Sequence, residues 1–168
     1  LITKKKIKTK YFHRKRKSGR GSAIIYGLKK AFKDKTNKIF IEMDADFSHD
    51  PKEIKKNLDT FKKKELDLLI ASRYLKGSKI INWSLSRRIF SKLSNFLARN
   101  ILNISLHDFT NGFRIYSKRS TKKIIQKCGN IGVGFIILSE IIVVLHNNNF
   151  KIDEVSTKFV NRERGQSS

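Results

Sequence analysis

The sequence predicts an α/β domain with a mostly parallel central sheet and helices on its faces. Two observations carry this. Short apolar runs at 39–43 (IFIEM) and 67–72 (DLLIAS) read as buried strands, and segments of helical spacing alternate with them. The order helix, strand, helix, strand is the rhythm of parallel strands joined by crossovers.

Taken in order, the basic start LITKKKIKTKYFHRKRK leaves room for one short strand near Ile7 to Phe12. Ser18 to Ser22 predict a Gly-rich turn, after which Ala23, Ile24, Gly27, Leu28 and Ala31 recur at helical spacing. Asp50-Pro51 predicts a helix start, with Asp as N-cap and Pro at the first helical position. That helix runs to about Lys64, with Ile54, Leu58 and Phe61 facing inward. After the strand at 67–72, a loop to about Trp83 leads into a long amphipathic helix, Leu85 to Leu102. Most of its apolar stripe, Phe90, Leu93, Leu97 and Ile101, is expected to pack on the sheet. A short strand at Phe113 to Tyr116, helices near 118–127 and 135–146, and a half-buried strand in FKIDEVSTKF complete the order.

The 168 residues suffice for one domain with a core. Lys and Arg outnumber Asp and Glu 38 to 14, a net charge of +24. Part of that excess reflects a lysine-rich composition, and part predicts an anionic partner: nucleic acid, lipid head groups or a phosphorylated substrate. Cys128 is the single cysteine, which excludes an intrachain disulfide and a Cys-based zinc site. It is expected to be a small buried residue. The longest apolar run, Phe135 to Leu145, carries Ser139 and Glu140 and falls short of the roughly 20 residues that span a bilayer. A leucine at position 1 and the polar end RERGQSS suggest a part of a longer protein.

The motif IFIEMDADFSHDP carries the chemistry. In parallel α/β sheets ligands bind at the carboxyl ends of strands, and Asp44 and Asp46 sit where the strand at 39–43 ends. Residues two apart in extended chain point the same way. Two carboxylates facing one point suit a hard cation such as Mg²⁺ or Mn²⁺ with phosphate oxygens completing its shell. The alternative is a polar turn in which Asp46 or Asp50 caps the next helix. KSGRGSA reads as a tight turn or as a phosphate-approaching loop at a helix start, and it matches no Walker A spacing. Arg73 follows a strand, Arg87 and Ser91 share one helix face, and Arg114 lies just after the glycine of NGF. Arginines so placed suit bidentate phosphate contacts, or a solvated basic surface. His49 and His107 read as polar loop residues. Glu140 is either a buried carboxylate paired with a base or a site residue.

Together, KSGRGSAIIYGLKKA, IEMDADFSHDP, ASRYLKGSKIINWSLSRRIFSKLSNFLAR, DFTNGFRIYSK and FKIDEVSTKFVNRERGQSS resemble the polyprenol-phosphate (dolichol-phosphate) mannosyltransferases of the family 2 glycosyltransferases. The resemblance runs from about residue 11 to the end. It implies a GT-A fold, the Rossmann-like fold of nucleotide-diphospho-sugar transferases, with residues 1–168 forming one partial catalytic domain. It also implies that the family's first strand is absent, the chain beginning at about the third. The implied reaction moves mannose from GDP-mannose to a polyprenyl phosphate with inversion. A Mg²⁺ or Mn²⁺ ion held at Asp44 and Asp46 would stabilise the leaving diphosphate. Ser48, where some relatives carry Gln, stands at a further metal contact, and Asn111 stands where Ser or Gly is common. Arg73, Arg87 and Ser91 match the acceptor-phosphate positions. Asp46 lies at the reaction centre with Asp108 and Arg114 of the loop motif, the last two in a positioning role. Arg162 matches a late basic position near the donor diphosphate.

The implied partners are a nucleotide-sugar donor, a polyprenyl-phosphate acceptor and the cytoplasmic face of a membrane, reached peripherally or through segments outside this chain. The helix at 85–102 could lie on such a surface. A second enzyme reading keeps the family but changes the donor to UDP-glucose or UDP-N-acetylglucosamine, or changes the acceptor. A third, from the charge alone, is a nucleic-acid-binding module. The ordered motif set argues against it, and no nucleic-acid partner is expected.

Overall fold

The computed structural model describes residues 9–14, 16, 18–129, 134 and 136–161. Helix α1 (Gly19–Phe32) begins one residue after Ser18, so the expected Gly-rich turn is instead the first turn of this helix. Strand β1 (Ile39–Glu42) leads through the aspartate loop to α2 (Glu53–Lys63), and β2 (Leu68–Ser72) follows. Helix α2 starts later than expected, with Lys52 and not Asp50 at its N-cap; Asp50 Oδ1 accepts from Lys52 N at 2.9 Å in the turn that precedes the helix. Helix α3 (Leu85–Leu102) is capped by Ser84, whose hydroxyl accepts from Arg87 N, and ends at Asn103 in the left-handed region. Strand β4 (Arg114–Ser117), α4 (Lys118–Lys127) and α5 (Ile136–His146) lie within a residue of their expected bounds.

Two features differ from the expectation. A three-residue strand, β3 (Lys79–Ile81), lies inside the loop before Trp83. FKIDEVSTKF is two strands, β5 (Ile152–Ser156) and β6 (Lys158–Val160). The break falls at Thr157, where Glu53 at the start of α2 accepts from the Thr157 hydroxyl and from Lys158 N. Those bonds peel β6 off to pair with β3 in a separate sheet. Of the strand expected at 7–12, residues 9–12 carry none, and 7 and 8 lie outside the described residues.

The main sheet has the order β1-β4-β2-β5. It is mixed: β2 and β5 pair in parallel, while β4 is inserted antiparallel between β1 and β2. Strands β1, β2 and β5 therefore run the same way and bring their carboxyl ends to one edge. Period-two alternation divides the core. Phe40, Leu68, Ile70 and Tyr116 face α1, α4 and α5, where Ile137, Leu138, Ile141, Ile142 and Leu145 are fully buried. Leu69 and Ile115 face α2 and pack on Phe61 and Leu66.

Helix α3 corrects the expectation that its stripe packs on the sheet. Asn95 is its one buried residue. Leu85, Ile89, Phe90, Leu93, Phe96, Leu97 and Ile101 are exposed, from 47% at Leu97 to 78% at Ile101. Polar contacts hold the helix in place. Arg88 Nη2 donates to Ile80 O at 2.6 Å, and Asn95 Oδ1 accepts from Phe109 N at 2.7 Å. Among the described residues no helix is long and apolar enough to cross a membrane.

Candidate active site

The carboxyl end of β1 opens into the aspartate loop. Asp44 is held by Arg20, whose two terminal nitrogens reach its two carboxylate oxygens at 2.9 and 3.1 Å. His49 Nε2 stands 3.6 Å away, an electrostatic contact rather than a hydrogen bond. Burial works to raise the Asp44 carboxyl, but His49 and Arg20 outweigh it and hold it down at about 2. Asp44 is thus ionised at neutral pH. Asp46 serves its own loop: its Oδ1 accepts from Ser48 N at 3.1 Å and from the Ser48 hydroxyl at 2.6 Å. Between them Phe47 is 89% exposed and has φ 63°, a conformation that costs a bulky side chain energy and is held by those two bonds.

Gly112 makes the Arg20–Asp44 pair possible. A Cβ at 112 would lie 1.9 Å from Arg20 Nη2 and 3.6 Å from Asp44 Oδ2. Arg20 also reaches Glu42 at 3.4 Å. Glu42 accepts from the Tyr116 hydroxyl at 2.6 Å. Burial raises the Glu42 carboxyl, with Arg114, Tyr116 and Arg20 opposing it.

The second half of the site is the loop 108–112. Asp108 is fully buried, and its carboxylate accepts from Arg73 N, Nε and Nη2 at 2.9, 2.8 and 2.7 Å. It accepts as well from Thr110 N and Asn111 N, which curls the loop around it. Burial works against this charge, but Arg73 pulls the Asp108 carboxyl below the ordinary carboxylate range. Neighbouring elements fasten the loop. Glu154 of β5 accepts from Asp108 N, and Asn111 Nδ2 donates to Ala71 O on β2. Arg114 is wholly buried and spends its guanidinium on three carbonyls, Asn111, Leu138 and Phe109, at 2.7 to 2.9 Å. It braces the loop through the backbone and faces no open site, which fits positioning and not contact with a reacting group.

The residues matched to an acceptor phosphate come together around Trp83. The Arg73 and Arg87 guanidinium carbons lie 5.2 and 4.2 Å from its ring centroid. The Ser91 hydroxyl bonds the Tyr74 hydroxyl beside Arg73. Arg87 is exposed and donates to Asn161 Oδ1 at 3.2 Å, whereas Arg73 already has its charge balanced by Asp108. A row of rings links this cluster to the aspartates: His49 to Phe159 at 5.2 Å, then Phe159 to Trp83 at 5.4 Å. Arg162 lies outside the described residues.

Sequence reasoning missed Arg20 and misread His49. His49 is 1% exposed and sits between the Phe113 and Phe159 rings instead of in a solvated loop. The aromatic at 159 and the DADFSHDP spacing were the available signals; nothing near Arg20 pointed to Asp44. Glu140 is a buried carboxylate, and its partner is the backbone N–H of Gly129 instead of a base. Cys128 is buried as expected, and burial with Glu140 nearby pushes its thiol up to about 12.

The donor set suits a hard divalent ion. Asp44, Asp46 and the Ser48 hydroxyl offer only oxygen. Among the described residues no group of three or more His, Cys, Asp or Glu side chains forms a metal cage. An ion here would therefore take one or two carboxylates and draw the rest of its shell from phosphate and water, which is the habit of Mg²⁺. It would share Asp44 with Arg20.

The carboxyl edge of the sheet thus carries two aspartates, with Arg73 and Arg87 clustered around Trp83 at the other end of the ring row. Residues 2–125 match Glycosyl transferase family 2, and the chain belongs to that family. It is 33% identical over 159 residues to polyprenol monophosphomannose synthase of Mycolicibacterium smegmatis, covering 92% of this chain and 57% of that protein. It is 32% identical over 156 residues to undecaprenyl-phosphate mannosyltransferase of Micrococcus luteus, covering 92% and 62%. The chain thus spans about three fifths of the length of these relatives.

Proposed function

We propose that this chain is catalytic-domain sequence of a transferase that moves mannose from GDP-mannose to a polyprenyl phosphate. The observation that carries the reading is the pairing of an ionised Asp44 at the β1 edge with the Arg73–Arg87–Ser91 cluster across the ring row, in a chain with two relatives named for mannosyl transfer to such lipids.

The acceptor phosphate is already anionic at neutral pH, so no strong base is required. One of its oxygens attacks the anomeric carbon, a bond forms there as the bond to the donor diphosphate breaks, and inversion results. Arg87, exposed, stacked on Trp83 and bonded to the neutral Asn161 amide, is the guanidinium for the acceptor phosphate. Arg73, fixed by Asp108, holds the ring wall and adds field. Mg²⁺ or Mn²⁺ at Asp44, Asp46 and Ser48 would neutralise charge on the leaving diphosphate.

The membrane is the remaining partner. The exposed stripe of α3 is a large apolar face flanked by Arg88, Lys92 and Arg99, the pattern of a helix lying in a lipid interface. With a net charge of +24, we assign that face to an anionic bilayer surface, on the side where the acceptor phosphate is presented.

The test uses the intact protein with detergent-dispersed polyprenyl phosphate, offered radiolabelled GDP-mannose, UDP-glucose or UDP-N-acetylglucosamine. Label from GDP-mannose is expected in the organic phase, lost with EDTA and in Asp46→Asn. Label from a UDP donor would replace the donor, and no lipid-soluble label from any donor would remove the acceptor.

A further inference from the structure

An ion arriving at Asp44 meets a carboxylate that is already occupied. Arg20 Nη2 lies 2.9 Å from Asp44 Oδ1, and Nη1 donates to Oδ2 at 3.1 Å, so the guanidinium fork covers both oxygens. A divalent ion on the same carboxylate is a like charge beside that guanidinium, and the two repel. The pair is open to solvent on one side: the Asp44 side chain is 33% exposed and that of Arg20 21%. An ion can therefore reach it.

A second carboxylate stands beside the arginine. The nitrogen that holds Asp44 Oδ1, Nη2, also lies 3.4 Å from Glu42 Oε1. Glu42 is fixed in place, with its other oxygen accepting from the Tyr116 hydroxyl at 2.6 Å and its backbone paired with Arg114 in the sheet. One guanidinium nitrogen thus lies between two carboxylates, nearer to one and within reach of the other. The fork sits in the space that Gly112 leaves, where a Cβ would come to 1.9 Å from Nη2.

We infer that Arg20 is a built-in competitor for the metal ion. The ion takes Asp44 Oδ1 as Nη2 moves from that oxygen to Glu42 Oε1, while Nη1 keeps Oδ2. The inference rests on the reading of Asp44 as a metal ligand. It adds that the aspartate loop is neutralised from within before any ion binds, and that this pair sets a threshold for loading the ion.

The experiment is a titration of the intact protein with Mn²⁺ at neutral pH, the free ion counted by electron paramagnetic resonance. Donor and acceptor are left out, so the result does not depend on which sugar or lipid is transferred. Arg20→Gln should bind Mn²⁺ at least about tenfold more tightly than the unaltered protein, because a like charge beside the ion is gone. Gly112→Ala keeps that charge but pushes the fork off Asp44, and it should tighten binding by about threefold or more. Arg14→Gln removes an arginine that bonds Ser22 on the same helix, and it should change binding less than about twofold. The gain should vanish in Arg20→Gln/Asp44→Asn. Glu42→Gln removes the charge that receives Nη2; alone it should weaken binding by about threefold or more, and much less beside Arg20→Gln.

Equal Mn²⁺ binding by the unaltered, Arg20→Gln and Gly112→Ala proteins would overturn the competition and leave the metal site standing. A gain in Arg20→Gln with none in Gly112→Ala, or an equal gain in Arg14→Gln, would give the effect to overall charge and overturn it as well. Equal weakening by Glu42→Gln in both backgrounds would overturn the handover. No Mn²⁺ binding by any of these proteins would remove the metal site itself, and the competition with it.

Discussion

Asp108→Asn tests the frame of the site. The substitution keeps the shape and removes the charge, and it turns one carboxylate oxygen into an N–H donor. Oδ2 accepts from Arg73 N and Nε; Oδ1 accepts from Arg73 Nη2, Thr110 N and Asn111 N. Whichever oxygen becomes the amide, at least two donors then face a donor, and Arg73, 8% exposed, is left as a buried unpaired cation. Breaking a buried pair in this way costs about 3–5 kcal/mol. In a domain of this size, at about 2–4 °C per kcal/mol, the melting temperature should fall by roughly 6–20 °C. Urea denaturation followed by circular dichroism reads the free energy directly. The folded Asp108 carboxyl titrates below its unfolded value. Its contribution is therefore present at neutral pH and lost as pH falls through the folded value, and Asp108→Asn should flatten the acid limb of stability. A loss under about 1 kcal/mol, the size of a surface pair, would refute the reasoning.

Gly112→Ala should push the Arg20 guanidinium off Asp44 while leaving the fold stable, and the Asp44 carboxyl, followed by carbon NMR, should titrate above its present value of about 2. Arg20→Leu should move it the same way; no movement in either variant would remove Arg20 as the cause. Because the Asp44 value is depressed, its share of stability is present above the ordinary carboxylate range and lost as pH falls through about 2. Phe90→Asp with Leu97→Asp should leave the melting temperature nearly unchanged, since both side chains are exposed, yet abolish sedimentation with anionic vesicles. Ile141→Ala, in the fully buried row of α5, should cost about 2–5 kcal/mol in denaturant unfolding.

Much of the architecture was legible from periodicity. The strands at β1, β2 and β4 and the helices α2, α4 and α5 fell close to their expected bounds because their apolar spacing is set by a core that buries them. The failures share a cause. Thr157 breaks a regular alternation because Glu53, more than a hundred residues earlier, bonds there, and no local pattern encodes that partner. Asp44 and Asp46 were readable as a pair of carboxylates at a strand end, but Arg20 against Asp44 depends on the space left by Gly112. Arg114, by its place either a phosphate contact or a solvated base and by the resemblance a positioning residue, is a backbone brace: a fully buried guanidinium with three carbonyl partners has no hydrogen bonds to spare for a phosphate. The α3 stripe was read correctly as amphipathic but was expected on the sheet, whereas Phe90, Leu93, Leu97 and Ile101 are exposed.

That helix has a thermodynamic consequence. Eighteen residues of α3 are joined to the domain by one buried asparagine, a few polar bonds and the partly buried Ala98 and Leu102, so little of their order is secured by the protein interior. A surface that binds the ordered helix and not the disordered one adds stability that grows with the logarithm of its concentration. On the membrane reading proposed above, lipid would act as a missing layer of the fold: α3 should exchange its amide hydrogens quickly in water and slowly on vesicles, and the protein's melting point should become a function of how much membrane is present.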